Sequence, residues 1–193
     1  MSRYDVIIIG AGPGGIFAAY ELAKKAPELK VAVFEAGNSL EKRKCPIDGK
    51  KIKSCINCKT CAIMSGFGGA GAFSDGKYNI TNDFGGTLYE YIGKDTAIDL
   101  MKYVDEINLA YGGEGTKMYS TAGTDIKKLC IQNELKLLDA SVRHLGTDIN
   151  YIVLENLYKE LKEKVEFRFN YRVDELEAVD GGYRVKRGQY RRV

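Results

Sequence analysis

The stretch Val6-Ile7-Ile8-Ile9-Gly10-Ala11-Gly12-Pro13-Gly14-Gly15 decides the fold of this chain. Its first four residues are β-branched and apolar, which predicts a buried strand. An alanine-rich segment with helical character follows from Ile16 to about Ala26, and Val31–Phe34 predicts a second strand that ends at Glu35. A strand, a Gly-x-Gly-x-x-Gly loop, a helix, a strand and an acid in this order are typical of a dinucleotide-binding βαβ unit.

Each glycine of the loop has a physical role. Gly10 permits the tight turn out of the strand, Gly12 lets a pyrophosphate approach the backbone, and Gly15 lets the helix pack closely on the sheet. The N–H groups and partial positive charge at the helix N-terminus attract phosphate. An acid after the second strand can accept hydrogen bonds from a ribose. The predicted cofactor contacts of this unit are Gly10, Gly12, Pro13, Gly14, Gly15, Glu35 and Ala36.

Length and composition restrict the class of protein. The 193 residues, 45% of them hydrophobic, suit one globular domain with at most a modest insertion. The net charge of +3 gives no case for a nucleic-acid partner. The apolar run Val6–Ile9 is too short to cross a membrane, and the glycine loop that follows it is unlike a secretory signal. We therefore expect a cytoplasmic protein without a membrane partner.

The segment from Glu41 to Cys61 is basic and rich in cysteine. Cys55, Cys58 and Cys61 have CxxCxxC spacing, and Cys45 could supply a fourth metal ligand. Three interpretations stay open: an iron–sulfur cluster or zinc site, a dithiol that exchanges electrons with a nearby flavin, or thiols without a function. Arg43 lies in the same segment, close enough to Glu35 in sequence to reach the same cofactor.

A second glycine-rich loop runs from Ser65 to Gly71 and continues to Lys77. Glycines let backbone N–H groups line up against a phosphate or a flat ring without a side-chain clash. Flexible linkers are polar, and the apolar residues Phe67 and Phe73 argue against that alternative.

The remaining chain predicts an insertion and a return to the first domain. Helical periodicity occurs at 95–110 and 125–138 and in a helix that begins near Thr147, and strand-like segments occur at 165–169, 172–179 and 183–193. The last two strands flank Asp180-Gly181-Gly182 and predict a hairpin. The predicted organisation is a Rossmann-like segment at 1–83, a helical insertion at 84–160 and a return to the first domain at 161–193.

Two adjacent residues before the last helix are candidates for catalysis. His144 is the only histidine and suits proton transfer, and Arg143 suits contact with a carboxylate. A purely structural role for His144 is an equal alternative, because Thr147 suits the N-cap of the following helix.

Together these motifs resemble the N-terminal part of the glutathione-reductase-like flavoproteins, which have two dinucleotide-binding folds. Within that class the chain is most similar to the group known as uncharacterised FAD-dependent dehydrogenases. The segments that carry the resemblance are Cys45-Pro46, Cys55/Cys58/Cys61, Ile63–Lys77 and Arg143–Asp148. Ser65-Gly66 with Tyr78–Asn82 also resembles the Ser-Gly-x-Gly and Asn-x-Thr-Asn loop of a related flavoprotein group.

The resemblance implies FAD as the cofactor rather than NAD, with NAD(P)H as a diffusible electron donor. It implies that Glu35 binds the adenosine ribose, that Arg43 lies along the adenosine or pyrophosphate, and that the loop Ser65–Gly71 passes near the pyrophosphate and isoalloxazine. It also implies that the backbone of Val173 meets the adenine. The contacts added in this way are Arg43, Ser65, Gly66, Phe67, Gly68 and Val173.

Members of that class continue well past the length of this chain, and only one glycine fingerprint is present here. We therefore expect a fragment of a longer flavoprotein: the FAD-binding portion of an oxidoreductase that acts on an unknown small-molecule substrate. Because part of the flavin site would be missing, we expect the chain to be isolated without cofactor. The alternative is a non-catalytic nucleotide-binding or metal–cysteine module that acts within a larger chain or with a partner.

Overall fold

The computed structural model describes residues 2–187, which divide into two compact units. Unit 1 comprises the residues up to Phe73 and those from Leu157 onward, and unit 2 is Ser74–Asn156. The strands within the described residues are β1 (Val6–Ile9), β2 (Val31–Phe34), β3 (Lys77–Ile80), β4 (Met118–Ser120), β5 (Ser141–His144), β6 (Glu166–Arg168), β7 (Glu175–Val179) and β8 (Gly182–Lys186). The helices are α1 (Pro13–Lys25), α2 (Leu88–Ile92), α3 (Lys94–Asn108), α4 (Ile126–Gln132) and α5 (Gly146–Leu161).

The sheet of unit 1 confirms the predicted α/β class with a βαβ core. Its strand order is β1-β2-β6 and both pairings are parallel, with Val6 opposite Val31 and Ala32 opposite Glu166. The central strand β2 is buried along its whole length. In the described chain β1 pairs on one side only, and Ile9 at its end is half-exposed. Because β1 and β2 are parallel, their carboxyl ends meet at one edge, and the Gly10 N–H donates to the Phe34 carbonyl there at 2.8 Å.

Helix α1 buries the face that its helical spacing predicts, formed by Ile16, Ala19, Tyr20 and Ala23. It begins at Pro13, three residues before the predicted start, because proline suits the first turn of a helix.

An aromatic cluster in unit 1 packs around Phe67 of the second glycine loop. Phe67 is fully buried, and its ring centroid lies 4.8 Å from that of Tyr158 and 5.7 Å from that of Phe167. Tyr158 also meets Phe169 edge-on, at 5.8 Å. Aromatic pairs in this distance range stabilise a packed core, so this cluster fixes the position of the loop that contains Phe67.

Unit 2 contains an antiparallel sheet in the order β3-β5-β4, with Tyr78 opposite Arg143 and Met118 opposite Arg143. The sequence predicts α3, α4 and α5 but misses the five-residue helix α2 and these strands, each of which has only three or four residues. Helix α4 ends at Gln132, well before the predicted 138. The Asn133 side-chain amide donates to the Leu129 carbonyl at 2.8 Å and Glu134 has φ 59°, a combination that terminates a helix.

The strands β7 and β8 form the predicted hairpin, with Glu175 opposite Lys186 and Val179 opposite Gly182. The last part of the predicted strand at 183–193, residues 188–193, lies outside the described residues. Among the described helices, none has the length and apolar character needed to cross a membrane.

Candidate functional site

The candidate site lies in unit 1, where the loop after β1 leads into α1. Gly10 has φ 99°, and Gly12 is the N-cap of the helix. No side chain caps this N-terminus and no acidic residue occupies its first turn. Pro13 has no N–H to offer, so the N–H groups of Gly14 and Gly15 are the first donors without an acceptor inside the helix. The arrangement presents two backbone donors and the positive end of the helix dipole at one point.

The glycines of the loop divide into two kinds. A Cβ added at Gly10, Gly12 or Gly14 would meet no atom within 4 Å, so the space next to these residues is open. A Cβ at Gly15 would overlap the Gly10 carbonyl oxygen and would lie 3.2 Å from Ile8 Cγ2. Gly15 is therefore required for close packing of α1 on β1, whereas the other three leave room for a ligand.

Glu35 joins three backbone segments around this loop. It is only 6% exposed, and its Oε2 accepts the Ala11 N–H at 2.7 Å. Its Oε1 accepts the N–H groups of Gly37 at 2.7 Å and of Gly66 at 2.9 Å. The sequence predicts contact between Glu35 and a ribose, whereas in the structure its carboxylate binds protein N–H groups. Ala36 is the next residue and is partly buried.

Arg43 also binds the backbone rather than an open site. Its Nε and Nη2 donate to the carbonyls of Ala62 at 2.9 Å and Ile63 at 2.7 Å, and its Nη1 donates to those of Phe67 and Gly69, both at 2.7 Å. Burial lowers the pKa of the guanidinium, and the negative charge of Glu35 opposes this effect. These contacts shape the second glycine loop, and the contact between Arg43 and the cofactor stays a prediction.

The second glycine loop packs directly against the first. The Gly68 N–H donates to the Ala11 carbonyl at 2.8 Å, and the Phe67 N–H donates to the Asn38 carbonyl at 3.0 Å. Gly66 has φ 118°, and a Cβ there would lie 2.6 Å from both Arg43 Cδ and the Asn38 carbonyl oxygen. The structure thus brings Ser65, Gly66, Phe67 and Gly68 to the same region as the α1 N-terminus.

Val173 lies in the irregular segment just before β7, because the strand begins at Glu175 rather than at the predicted residue 172. It is partly buried, and its contact with an adenine remains a prediction.

The structure does not gather the cysteines into a metal centre. Cys55 and Cys58 are exposed, and Cys45 and Cys61 are partly buried. Between residues 2 and 187, no three His, Cys, Asp or Glu side chains form a group that could hold a metal ion. The iron–sulfur and zinc interpretations therefore lack support from the structure, and the dithiol interpretation remains a prediction.

Arg143 and His144 lie on β5 of unit 2. Arg143 is buried, and its Nε and Nη2 donate to both carboxylate oxygens of Asp105, at 2.6 and 2.8 Å. Its Nη1 donates to the Thr116 carbonyl at 2.6 Å. These contacts give Arg143 a structural role, and its contact with a substrate carboxylate stays a prediction. His144 is exposed, and its predicted part in proton transfer remains untested.

Asp105, the partner of Arg143, is not predicted from the sequence. Its only sequence signal is its place on α3, where a charged residue interrupts the helix face that contains Met101 and Ile107. A charged side chain at a buried position requires a partner of opposite charge, which a sequence alone does not identify.

Comparisons with known proteins give short matches and matches over most of the chain. The Thi4 family model matches residues 1–41. A thiamine thiazole synthase of Yarrowia lipolytica is 64% identical over 33 residues, which is 17% of this chain and 10% of that protein. An uncharacterized protein of Clostridium beijerinckii is 31% identical over 147 residues. That match covers 75% of this chain but only 24% of the Clostridium protein, so the chain spans about a quarter of that relative.

Solved structures with a similar fold include glycine oxidase from Geobacillus kaustophilus, at 16% identity and a TM-score of 0.49. That similarity covers 96% of this chain and 51% of the oxidase. Thermovibrio ammonificans THI4 is 17% identical with a TM-score of 0.40, over 94% of this chain and 45% of that protein.

Proposed function

We propose that unit 1 binds the adenosine and pyrophosphate half of FAD, and that the chain is the FAD-binding portion of a flavin-dependent oxidoreductase. The observation that carries this proposal is the uncapped N-terminus of α1, which faces open space beside two glycine loops. Helix N-termini of this kind bind phosphate through backbone N–H groups and the helix dipole.

The residues present fit a dinucleotide. Gly14 and Gly15 supply N–H donors, and the bare Cα atoms of Gly10 and Gly12 leave room for phosphate oxygens. Glu35 uses three of the roughly four acceptor positions of a carboxylate for backbone N–H groups, so about one position on Oε2 remains for a ribose hydroxyl. The main role of Glu35 is structural, because its carboxylate holds the backbone of Ala11 and Gly66 in place. Contact with the ribose would be a secondary role.

The second glycine loop supports FAD over NAD. It lies against the first loop through the Gly68 N–H and the Ala11 carbonyl, which adds a second layer of backbone beside the phosphate position. A glycine fingerprint alone is common to both dinucleotides. The resemblance of Ile63–Lys77 to FAD-dependent dehydrogenases supplies the preference.

Bound FAD would supply two-electron chemistry, and the protein would supply binding, position and electrostatics. We propose NAD(P)H as a diffusible electron donor for the flavin. The sequence similarity to the Thi4 family and to thiamine thiazole synthases covers only a short segment, residues 1–41 for the family model and 33 residues for the Yarrowia protein, so it supports a shared dinucleotide-binding segment and gives no support for thiazole chemistry in this chain.

Calorimetric titration of the purified chain with FAD and, separately, with NAD⁺ tests the proposal. We expect FAD to bind at least about tenfold more tightly than NAD⁺, a difference of about 1.4 kcal/mol, because the second glycine loop would also pass near the flavin, which NAD⁺ lacks. Gly14→Asp places a negative charge at the α1 N-terminus and should weaken FAD binding. Gly182→Asp makes the same change on the hairpin, where a side chain has open space, and should not. No binding of FAD would contradict the proposal. Equal binding of the two dinucleotides would contradict only the preference for FAD, because both contain the adenosine and pyrophosphate half.

A further inference from the structure

We propose that the exposed segment 44–64, the basic loop, is a docking surface for a protein with an acidic rim and an apolar centre. The proposal rests on the charge and exposure of the loop itself and does not depend on the identity of the cofactor.

Positive charge is concentrated near this loop. Five of the 29 basic residues and one of the 26 acidic residues lie within residues 44–64, so the basic loop has a formal charge of +4 and the rest of the chain −1. Four exposed lysines, at positions 44, 50, 51 and 53, form no ion pair within the described chain. A local field of this kind attracts partners of opposite charge.

Asp48, the only acidic residue of the basic loop, stabilises a backbone turn rather than pairing with a lysine side chain. Asp48 Oδ1 accepts the backbone N–H groups of Lys50 and Lys51 at 2.8 Å and of Ile52 at 2.9 Å. These backbone hydrogen bonds lower the pKa of Asp48. The turn that they hold displays the side chains of Lys50 and Lys51 to solvent.

Apolar side chains are exposed among these lysines. Ile47, Ile56, Ile63 and Met64 are 42%, 55%, 37% and 61% exposed. Apolar residues within a charged rim are characteristic of protein–protein interfaces, and methionine is enriched in them. This composition favours a protein over a simple polyanion as the occupant.

The same composition disfavours a nucleic acid or a membrane. The loop has no aromatic residue on which a base could stack, and all its cations are lysines. The basic loop also contains no helix, and it lacks the aromatic residues with which amphipathic segments enter a lipid interface.

Arg43 connects the docking surface to the candidate cofactor site. The guanidinium binds the carbonyls of Ala62 and Ile63 in the loop and those of Phe67 and Gly69 in the second glycine loop. A partner bound at Ile63 and Met64 would therefore contact the segment that leads directly to Gly66.

Binding of synthetic polypeptides to the full chain tests the proposal. The probes are a random copolymer of glutamate and leucine, poly-L-glutamate, a DNA duplex and phosphatidylserine vesicles. We expect the copolymer to bind most tightly, by at least about fivefold over poly-L-glutamate, because it satisfies both the lysines and the apolar residues.

Two double variants separate the charged and apolar contributions. The double variant Ile56→Ser with Met64→Ser should reduce binding of the copolymer to the level of poly-L-glutamate. The double variant Lys50→Gln with Lys51→Gln should weaken the binding of both polypeptides. The control Lys128→Gln with Ile131→Ser changes one exposed lysine and one exposed apolar residue in unit 2 and should have no effect. Equal binding of the two polypeptides, tighter binding of DNA or vesicles, or an equal loss in the control would overturn the proposal.

Discussion

Glu35 Oε1 accepts the N–H of Gly66, 31 positions further along the chain, at 2.9 Å. Because the other oxygen of the same carboxylate accepts the Ala11 N–H, one buried side chain joins the first glycine loop to the second. The acid that a dinucleotide fingerprint assigns to a ribose is therefore also a structural centre of the site.

The first prediction concerns stability without cofactor. Glu35→Gln keeps the size of the side chain but replaces one oxygen with an amide that meets an N–H donor. We expect the free energy of unfolding of the cofactor-free chain to fall by about 2–4 kcal/mol, because hydrogen bonds to a charged group each contribute about 1.5–3 kcal/mol. Urea denaturation measures this. The exposed Glu41→Gln is the control and should change little, and unchanged stability in Glu35→Gln would show that Glu35 acts on a ligand alone.

The second prediction separates folding from binding within the glycine loop. Gly15→Val should prevent close packing of α1 on β1 and strongly destabilise the fold, because its Cβ overlaps the Gly10 carbonyl oxygen. Gly14→Ala should leave thermal unfolding nearly unchanged, since its Cβ meets nothing within 4 Å, yet it should weaken phosphate binding. Comparable unfolding temperatures for the two variants would contradict the packing described for Gly15.

The third prediction tests the structural role of Arg143. Removal of one partner from a buried ion pair costs about 3–5 kcal/mol, because the remaining charge is left without compensation. We expect a loss of this size in Asp105→Asn, measured by chemical denaturation. Asp99→Asn removes the exposed partner of Lys102 and should cost less than about 1 kcal/mol.

The fourth prediction is a pH dependence in unit 2. Burial raises the pKa of Tyr78, whose hydroxyl donates to Asn150 Oδ1 at 2.8 Å. The folded state therefore holds this proton more tightly than the unfolded state does, and the stabilisation is present below pH 10 and lost as the pH rises through the folded pKa. Carbon-13 NMR titration of the tyrosines should show a resonance, absent in Tyr78→Phe, that titrates above the value of about 10 for free tyrosine. A Tyr78 resonance that titrates at the value of free tyrosine would contradict the prediction.

The sequence predicts the βαβ core well because each of its elements has a local cause. The β-branched run Val6–Ile9, the proline at the start of α1 and the helical spacing of Ile16 and Ala19 each act within one element. The α/β class is confirmed for that reason, and the hairpin forms around Gly181 as the turn residues predict.

The details of the site depend on contacts between distant residues, which the sequence alone does not specify. Glu35 with Gly66 and Arg43 with Phe67 are pairs whose separation gives no periodic signal. The short strands β3, β4 and β5 form by pairing between distant segments of unit 2, so the sequence does not predict them for the same reason. Cys55, Cys58 and Cys61 have suggestive spacing, but spacing alone did not bring the thiols together.

Competition for bound FAD by ADP and by FMN tests the central claim most directly, because ADP contains the adenosine and pyrophosphate whereas FMN contains the flavin with a single phosphate. We predict that ADP displaces FAD from the chain, because the α1 N-terminus and the two glycine loops hold the adenosine and pyrophosphate half, and that FMN at the same concentration does not. Displacement by FMN without displacement by ADP would contradict the account.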